Sequence, residues 1–394
     1  MERIFVMNLG TTSFKFKLYD CGEAGQSVLA TGELECIGSP VSRYEIKFAD
    51  GNQVAGETPI ADHGMAFDHC FGVLQSNGIL KDMGELTAVA YKAVHGGNLS
   101  GTRYVDDEVI REMERVLPLA PAHNPIYLSA MKSIRSRYPE LKQIARFETS
   151  FHATIPEKRV VYSVPYEWKE ELGVRRWGFH GSSHQYIAET VAKLQPNAKK
   201  VISCHLGGSS SICAILDGKS VATSMGATLQ TGMPQNNRVG DFEVFCLPYI
   251  MDKYDLTLEQ VLEILSKKSG LLGMSGVSNH FHLVQAAADE GNRRAKLTMD
   301  AYADQLLGII GSYTAYLGGL DALVFTGGIG YRADRLRKTV CDGLGYLGMK
   351  LDDEKNRDPG AVCVSSDDSR ISVYRIKTDE ESVVVRCALE LLHN

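Results

Sequence analysis

Long apolar runs are missing from this sequence, so it offers no candidate for a membrane-spanning helix. Its opening residues, MERIFVMNLG, carry no signal-peptide pattern. The nine cysteines are odd in number and scattered, with no C-x-x-C pair, so neither a disulfide framework nor a zinc site is indicated. A reducing cytosol is the expected compartment. Neither sign of charge dominates: 42 Lys and Arg against 48 Asp and Glu leave a net −6, which argues against a nucleic-acid binder. Low-complexity tracts and flexible linkers are absent too. What is present, 44% apolar and 23% charged residues over 394 positions, is the composition of a soluble globular protein. That length exceeds one ordinary core, and two domains sharing an interface are expected.

Strand-like runs at Ile4–Val6, Phe14–Leu18, Val28–Ile37 and Tyr44–Phe48 open the chain, separated by turn residues. DHGMAFDHCFGVLQSNG reads as a helix, and Ala88–Val94 as a buried strand ending in HGG. DDEVIREMERVLPLA begins with acidic residues and spaces its apolar side chains by three and four, which predicts a helix along its length. NPIYLSAMKSIRSRYPE is another, with Asn124 placed to cap it and Pro125 in its first turn. LKQIARFE follows as a strand, and a long helix is expected from Arg294 to Leu317.

Near the start, FVMNLGTTSFKFKLYD runs from a strand through Asn8, Gly10 and three hydroxyl residues into Lys15 and a second strand. Such a turn is ordinary hairpin chemistry on its own. However, ISCHLGGSSSICAILDGKSV repeats the arrangement: Leu9-Gly10 falls on Leu206-Gly207, Ser13 on Ser210 and Asp20 on Asp217. One hairpin found twice suggests a duplicated βββαβα domain. Two such halves facing each other would point both hydroxyl-rich turns into one cleft, where N–H groups and hydroxyls cradle phosphates. DALVFTGGIGYR adds a buried strand running into Gly327, Gly328 and Gly330 and then a helix, a place where α/β proteins hold ligands.

In this order these elements resemble the acetate kinase family, within the superfamily of sugar kinases, actin and heat-shock ATPases. The resemblance covers essentially the whole chain. It rests on the first hairpin (Asn8, Gly10, Ser13, Lys15), VHGG, LAPAHNP, FETSFH, GFHGSSH and CHLGGSSS, and continues through TSMG, NRVGD, KKSGLLGMSGVSN, FTGGIG and TDEE. It implies an α/β fold, a duplicated ribonuclease H-like or actin-like ATPase with two domains around a cleft. Residues 1–148 with 381–394 would form the N-terminal domain, the last helix returning to it. Residues 149–380 would carry the nucleotide site and a homodimer contact.

The family moves a phosphoryl group between ATP and a short-chain carboxylate with Mg²⁺, for which Mn²⁺ is a possible substitute. The transferring group is anionic and metaphosphate-like, so the protein's task is alignment and charge stabilisation. By resemblance, Arg238 stabilises the transition state, His180 donates to the transferring group, and Glu148 stands at the catalytic carboxylate. Lys92 and His123 would meet the acid. His205, Gly207, Gly208, Ser209 and Ser210 in the second hairpin, with Gly328 and Gly330, would hold phosphates. Asn8 and Glu380 match groups that contact the magnesium directly or through water. His95, His152 and His184 are expected to be structural.

Several positions depart from the family. Its carboxylate-clamping arginine is Lys92 here, which keeps the charge and loses the two-pronged geometry. Its catalytic aspartate is Glu148, whose extra methylene moves the carboxylate by about 1 Å. On the nucleotide side, His280-Phe281-His282 and Tyr331-Arg332 replace residues that contact the base, and Pro234-Gln235-Asn236-Asn237 precedes Arg238. These changes leave three readings open: an ATP-dependent carboxylate kinase, the same chemistry with another nucleotide or pyrophosphate, and a non-catalytic actin-like nucleotide-binding protein. A drifted site should lose charges, whereas these substitutions keep them, which favours the enzyme.

Overall fold

Strand β1 (Glu2–Leu9) buries four consecutive apolar residues, Ile4 to Met7, so both of its faces are covered and it lies inside a sheet. Its neighbour β2 (Ser13–Gly22) alternates instead, Phe14, Phe16 and Leu18 inward and Lys15 and Lys17 on the other face. The computed structural model describes residues 2–22 and 25–394. They fall into two compact units, Met1–Ser150 with Asp379–Asn394, and Phe151–Thr378.

The first unit continues with β3 (Gly25–Glu35), β4 (Ser42–Phe48), β5 (Gln53–Thr58), β6 (Ala88–Ala93), β7 (Thr102–Tyr104) and β8 (Gln143–Phe147). Their order in the sheet is β5-β4-β3-β2-β1-β6-β8-β7. Strand β1 is antiparallel to β2 and parallel to β6, which is parallel to β8. Helices α1 (His63–Ser76), α2 (Asp107–Arg115) and α3 (Asn124–Arg137) connect them. Helices α1 and α2 begin where Asp62 and Asp106 accept from backbone N–H groups three residues on. The C-terminal helix, Glu380–His393, buries Val384, Val385 and Ala388 against Ile4, Val6, Ala88, Ala90 and Ile144. Each of those valines contributes roughly 1.5–3 kcal/mol by leaving water.

In the second unit, β9 (Lys200–Leu206), β10 (Ser210–Leu216), β11 (Lys219–Thr223), β12 (Ala322–Thr326) and β13 (Ser372–Arg375) lie in the order β11-β10-β9-β12-β13. Helices α4 (Gly181–Leu194), α5 (Phe281–Asp289), α6 (Arg293–Leu317) and α7 (Gly327–Arg332) belong to this unit. Strand β9 is antiparallel to β10 and parallel to β12, and β12 is parallel to β13. The β3-β2-β1-β6-β8 portion of the first sheet therefore has the same order and directions. The fold is the α/β duplication of a ribonuclease H-like unit, with β4, β5 and β7 added to the first copy.

Three local expectations are corrected. Helix α2 ends at Arg115, because Pro118 lacks the N–H a continuing helix needs, and Leu117–Leu119 forms a tighter 3-10 turn. Asn124 does not cap α3. That position belongs to His123, while the buried Asn124 amide donates to the carbonyls of His95 and Met113. The two hairpins also differ by one residue: Leu9 pairs with Phe14, but Leu206 pairs with Ser210. Ser13 thus lies within its turn and pairs only outward, with Glu35 on β3, whereas Ser210 pairs back to Leu206 on β9. Among the described residues no helix is long and apolar enough to cross a membrane.

Candidate active site

In the first unit, polar residues gather where the parallel strands end. Lys92 on β6 is in register with Arg146 on β8. Asn8 stands one step past the Met7–Tyr91 pair, level with Lys92 on β6 and on the opposite face from Met7. Glu148 follows β8 directly, its N–H donating to Ala93 and its side chain 4% exposed. The first turn of the C-terminal helix supplies Glu380 and Glu381. Lys92 forms an ion pair with Glu380, while Lys17 reaches Asp379 at 2.9 Å and Glu381 at 3.3 Å. Burial alone lowers the pKa of the Lys92 ammonium, but the carboxylates of Glu380, Glu148 and Glu381 outweigh it and hold the group above its ordinary value.

The first turn is braced from below. His63 Nε2 lies 2.9 Å from the Gly10 carbonyl and 3.2 Å from that of Ser13, so its N–H is shared between them. Gly10 N–H donates to the Ser13 carbonyl, and a Cβ on Gly10 would run into the Ser13 hydroxyl. Lys15 lies outside this turn. Its ammonium is 2.5 Å from Glu33 on β3, with both side chains largely exposed. His123, partly buried, begins α3.

In the second unit, the Ser209 hydroxyl donates to Gln235 Oε1 at 2.7 Å, and Arg238 Nη1 donates to both of those oxygens at 3.2 Å. The second turn and the arginine loop are thereby one hydrogen-bonded unit. Burial lowers the pKa of the Arg238 guanidinium from its ordinary value. The buried Ser210 hydroxyl is used by the turn itself, meeting Gly207 and Tyr302.

His180 adopts a left-handed backbone (φ 56°) ahead of α4, a conformation uncommon outside glycine. Its Nδ1 lies 2.8 Å from the Ser211 hydroxyl, which lies 2.8 Å from His184 Nε2, while His184 Nδ1 lies 2.9 Å from Ser203. Burial, reinforced by His152 and His205, depresses the pKa of His184, so its ring is neutral and carries one N–H. If Ser203 donates to Nδ1, the proton chain runs through Ser211 to His180 Nδ1 and leaves the His180 proton on Nε2. His205 stacks on His180 with ring centroids 4.2 Å apart, its Nδ1 2.8 Å from Ser183. His152 bonds Ser220 and the Phe179 carbonyl, and His95 accepts from Gly97.

A cavity of about 440 Å³ opens beside the second turn, lined by Gly207, Gly208, Asn236, Gly328, Ile329 and Arg332 together with His280, Phe281, His282 and Gln285 from the start of α5. Seven expected nucleotide-side positions, Gly207, Gly208, His280 to His282, Gly328 and Arg332, meet here. Gly330 and Tyr331 do not line the cavity. The Gly330 carbonyl accepts from buried Arg337, and the Tyr331 ring lies 4.8 Å from the Arg375 guanidinium.

Among the described residues no group of three or more His, Cys, Asp or Glu forms a metal cage. Asn8, Glu148 and Glu380 nevertheless offer hard oxygen donors within one unit. Such a sparse set suits magnesium, which keeps its waters and is completed by substrate phosphates.

His63, Gln235, Ser211 and Arg146 were not among the expected site residues. His63 and Gln235 act through turn carbonyls and a shared hydroxyl, which leave no spacing signal. Arg146 does leave one, a charge inside an otherwise uncharged strand.

A sequence model described as the Acetokinase family matches residues 3–386. The acetate kinase of Halothermothrix orenii is 40% identical over 391 residues, covering 98% of each chain. That of Dictyoglomus turgidum is 41% identical, covering 98% of this chain and 96% of its own. Among solved structures, Porphyromonas gingivalis acetate kinase superposes with a TM-score of 0.90 at 33% identity over all of both chains. A propionate kinase from Francisella tularensis gives 0.91 at 32%, covering 98% and 99%.

Proposed function

The chain belongs to the acetokinase family, and from that membership we propose that it is a carboxylate kinase, moving the terminal phosphoryl group of ATP reversibly to acetate or a similarly short acid. The product is an acyl phosphate with ADP. The observation that carries this reading is the charge kept at the family's positions: Lys92, Glu148 and Glu380 in one unit, Arg238 and His180 in the other. Membership and near-full coverage of acetate kinases support it.

An oxygen of the acid attacks the γ-phosphorus in line as the bond to ADP breaks. Arg238, held by Ser209 and Gln235, and His180, held at Nδ1 by Ser211, stabilise charge on the equatorial oxygens. Lys92 and His123 orient the acid. In the second unit phosphates would lie along the Gly207–Ser209 turn and Gly328, beside the 440 Å³ cavity, which is large enough for a nucleoside; in the first, the Gly10–Ser13 turn offers N–H and hydroxyl groups to a phosphate. Magnesium would be held by Asn8, Glu148 and Glu380, and when bound it neutralises phosphate charge. A homodimer contact through the second unit is part of this proposal, supported by its exposed Phe245 (86%) and Tyr249 (75%).

Hydroxylamine trapping over a panel of short acids and donors tests the reading. Acyl hydroxamate from acetate and ATP is expected, with nucleotides better donors than pyrophosphate. No product from any combination, alongside tight nucleotide binding, would point to a non-catalytic protein.

A further inference from the structure

Resting on the carboxylate-kinase reading, we propose that Arg146 is a substrate-binding residue that grips the carboxylate of the acid. Three observations carry it. Arg146 occupies the penultimate position of β8, in register with Lys92 at the penultimate position of β6, so the two share one face of the sheet. Glu148 follows two residues after Arg146, just past the end of β8, its N–H bonded to the Ala93 carbonyl at the end of β6. Arg146 is also only 7% exposed, comparable with Glu148, in a strand whose other members are all buried.

Charge at the strand ends supplies the argument. The Lys92 ammonium is already committed to Glu380 and lies in the field of Glu148 and Glu381. Lys17 is likewise engaged, by Asp379 and Glu381, and an anionic acid entering beside these carboxylates is held more firmly where a further cation of the protein stands. Arg146 is the cation in register. Its five donors allow it to keep a structural contact while presenting two parallel N–H groups to a carboxylate, a geometry that an ammonium lacks. The bidentate role then lies on β8, and Lys92, paired with Glu380, helps to orient the acid as a point charge beside it.

The test is steady-state kinetics of Arg146→Lys and Arg146→Gln with acid and nucleotide varied separately. Loss of a charge-assisted contact predicts KM for the acid roughly 10- to 150-fold higher in Arg146→Gln, KM for the nucleotide within about twofold, and partial rescue in Arg146→Lys. A merely structural arginine would change both constants or only thermal stability. Should Arg146→Gln not fold, Arg146→Lys decides: an unchanged KM for the acid in a folded, active enzyme overturns the proposal. Wild-type protein that makes no acyl phosphate with any acid or donor overturns the functional reading and this inference with it.

Discussion

Lys92 and Glu380 form an ion pair that is largely shielded from water, their side chains 14% and 12% exposed. Glu148 adds to the same field. A lysine reaches less far than the arginine, and a glutamate further than the aspartate, that the family resemblance implies at these positions, and we propose that the two departures compensate in length. Lys92→Arg and Glu148→Asp should each lower kcat/KM for the acid by about tenfold or more, since a displacement near 1 Å costs up to 10²-fold. The double variant should be less impaired than the product of the singles implies, with coupling of about 0.5–3 kcal/mol. Strictly additive effects in a double-mutant cycle would show that the two positions are independent.

His180 and Ser211 give a graded test of the histidine chain. Asparagine tolerates the left-handed backbone at position 180, so His180→Asn should fold and lose about 10²- to 10³-fold in kcat, the usual effect of deleting one donor to a transition-state oxygen. Ser211→Ala keeps the ring but removes the hydroxyl between His180 and His184. Its kcat should fall less, with a stability loss of about 1–3 kcal/mol for the buried nitrogens left behind. The ordering of kcat, measured at saturating substrates, checks this; equal losses in the two variants would contradict it.

Much of this architecture was legible because its signals are periodic. Apolar residues repeat along β1, β2, β9 and β10, and the strand–turn–strand pattern recurs with the same residues at the same offsets, which exposed the duplication. The one-residue difference between the hairpins was hidden, because sequence alignment matches residue types while register depends on backbone pairing. Asn124 shows a second kind of concealment. Its type and position suit a cap, yet burial leaves its amide two carbonyls to satisfy elsewhere. At the candidate site the charged types could be read, but not their partners: Lys15 turns to Glu33, and Tyr331 lies by Arg375. Side chains that converge from distant segments carry no local spacing.

His95 predicts how stability responds to acid. It is fully buried, and burial, with a smaller contribution from Arg115, lowers its pKa from 6.5 to about 4. Above pH 6.5 the ring is neutral in both folded and unfolded chains. As pH falls below that value the unfolded chain takes up a proton and the folded one does not, so stability drops until about pH 4 and then levels off. The full loss is about 3 kcal/mol. His95→Asn retains an acceptor for Gly97 N–H and should flatten this part of the profile. Urea unfolding at pH 7 and pH 4.5 measures it, and an equal drop in both proteins would exclude His95 as the source.

Two glycines of the second unit make the last prediction a matched pair. Gly327 joins β12 to α7 at φ +74°, and a Cβ there would lie 2.5 Å from the Leu206 carbonyl oxygen, at the end of β9. The obstacle is backbone, and the backbone in question leads into the Gly207–Ser209 turn. Gly327→Ala should therefore cost about 1–2 kcal/mol in conformational strain alone, more with the clash, and raise KM for the phosphoryl donor by displacing the turn. Gly308 lies within α6, where a Cβ meets nothing within 4 Å. Gly308→Ala should stabilise by about 0.5–1 kcal/mol, because alanine loses less backbone entropy in a helix. Thermal unfolding together with donor KM reads both. A Gly327→Ala protein with unchanged donor KM would mean that the strand end does not position the turn, and the phosphate role assigned to Gly207–Ser209 would lose its structural support.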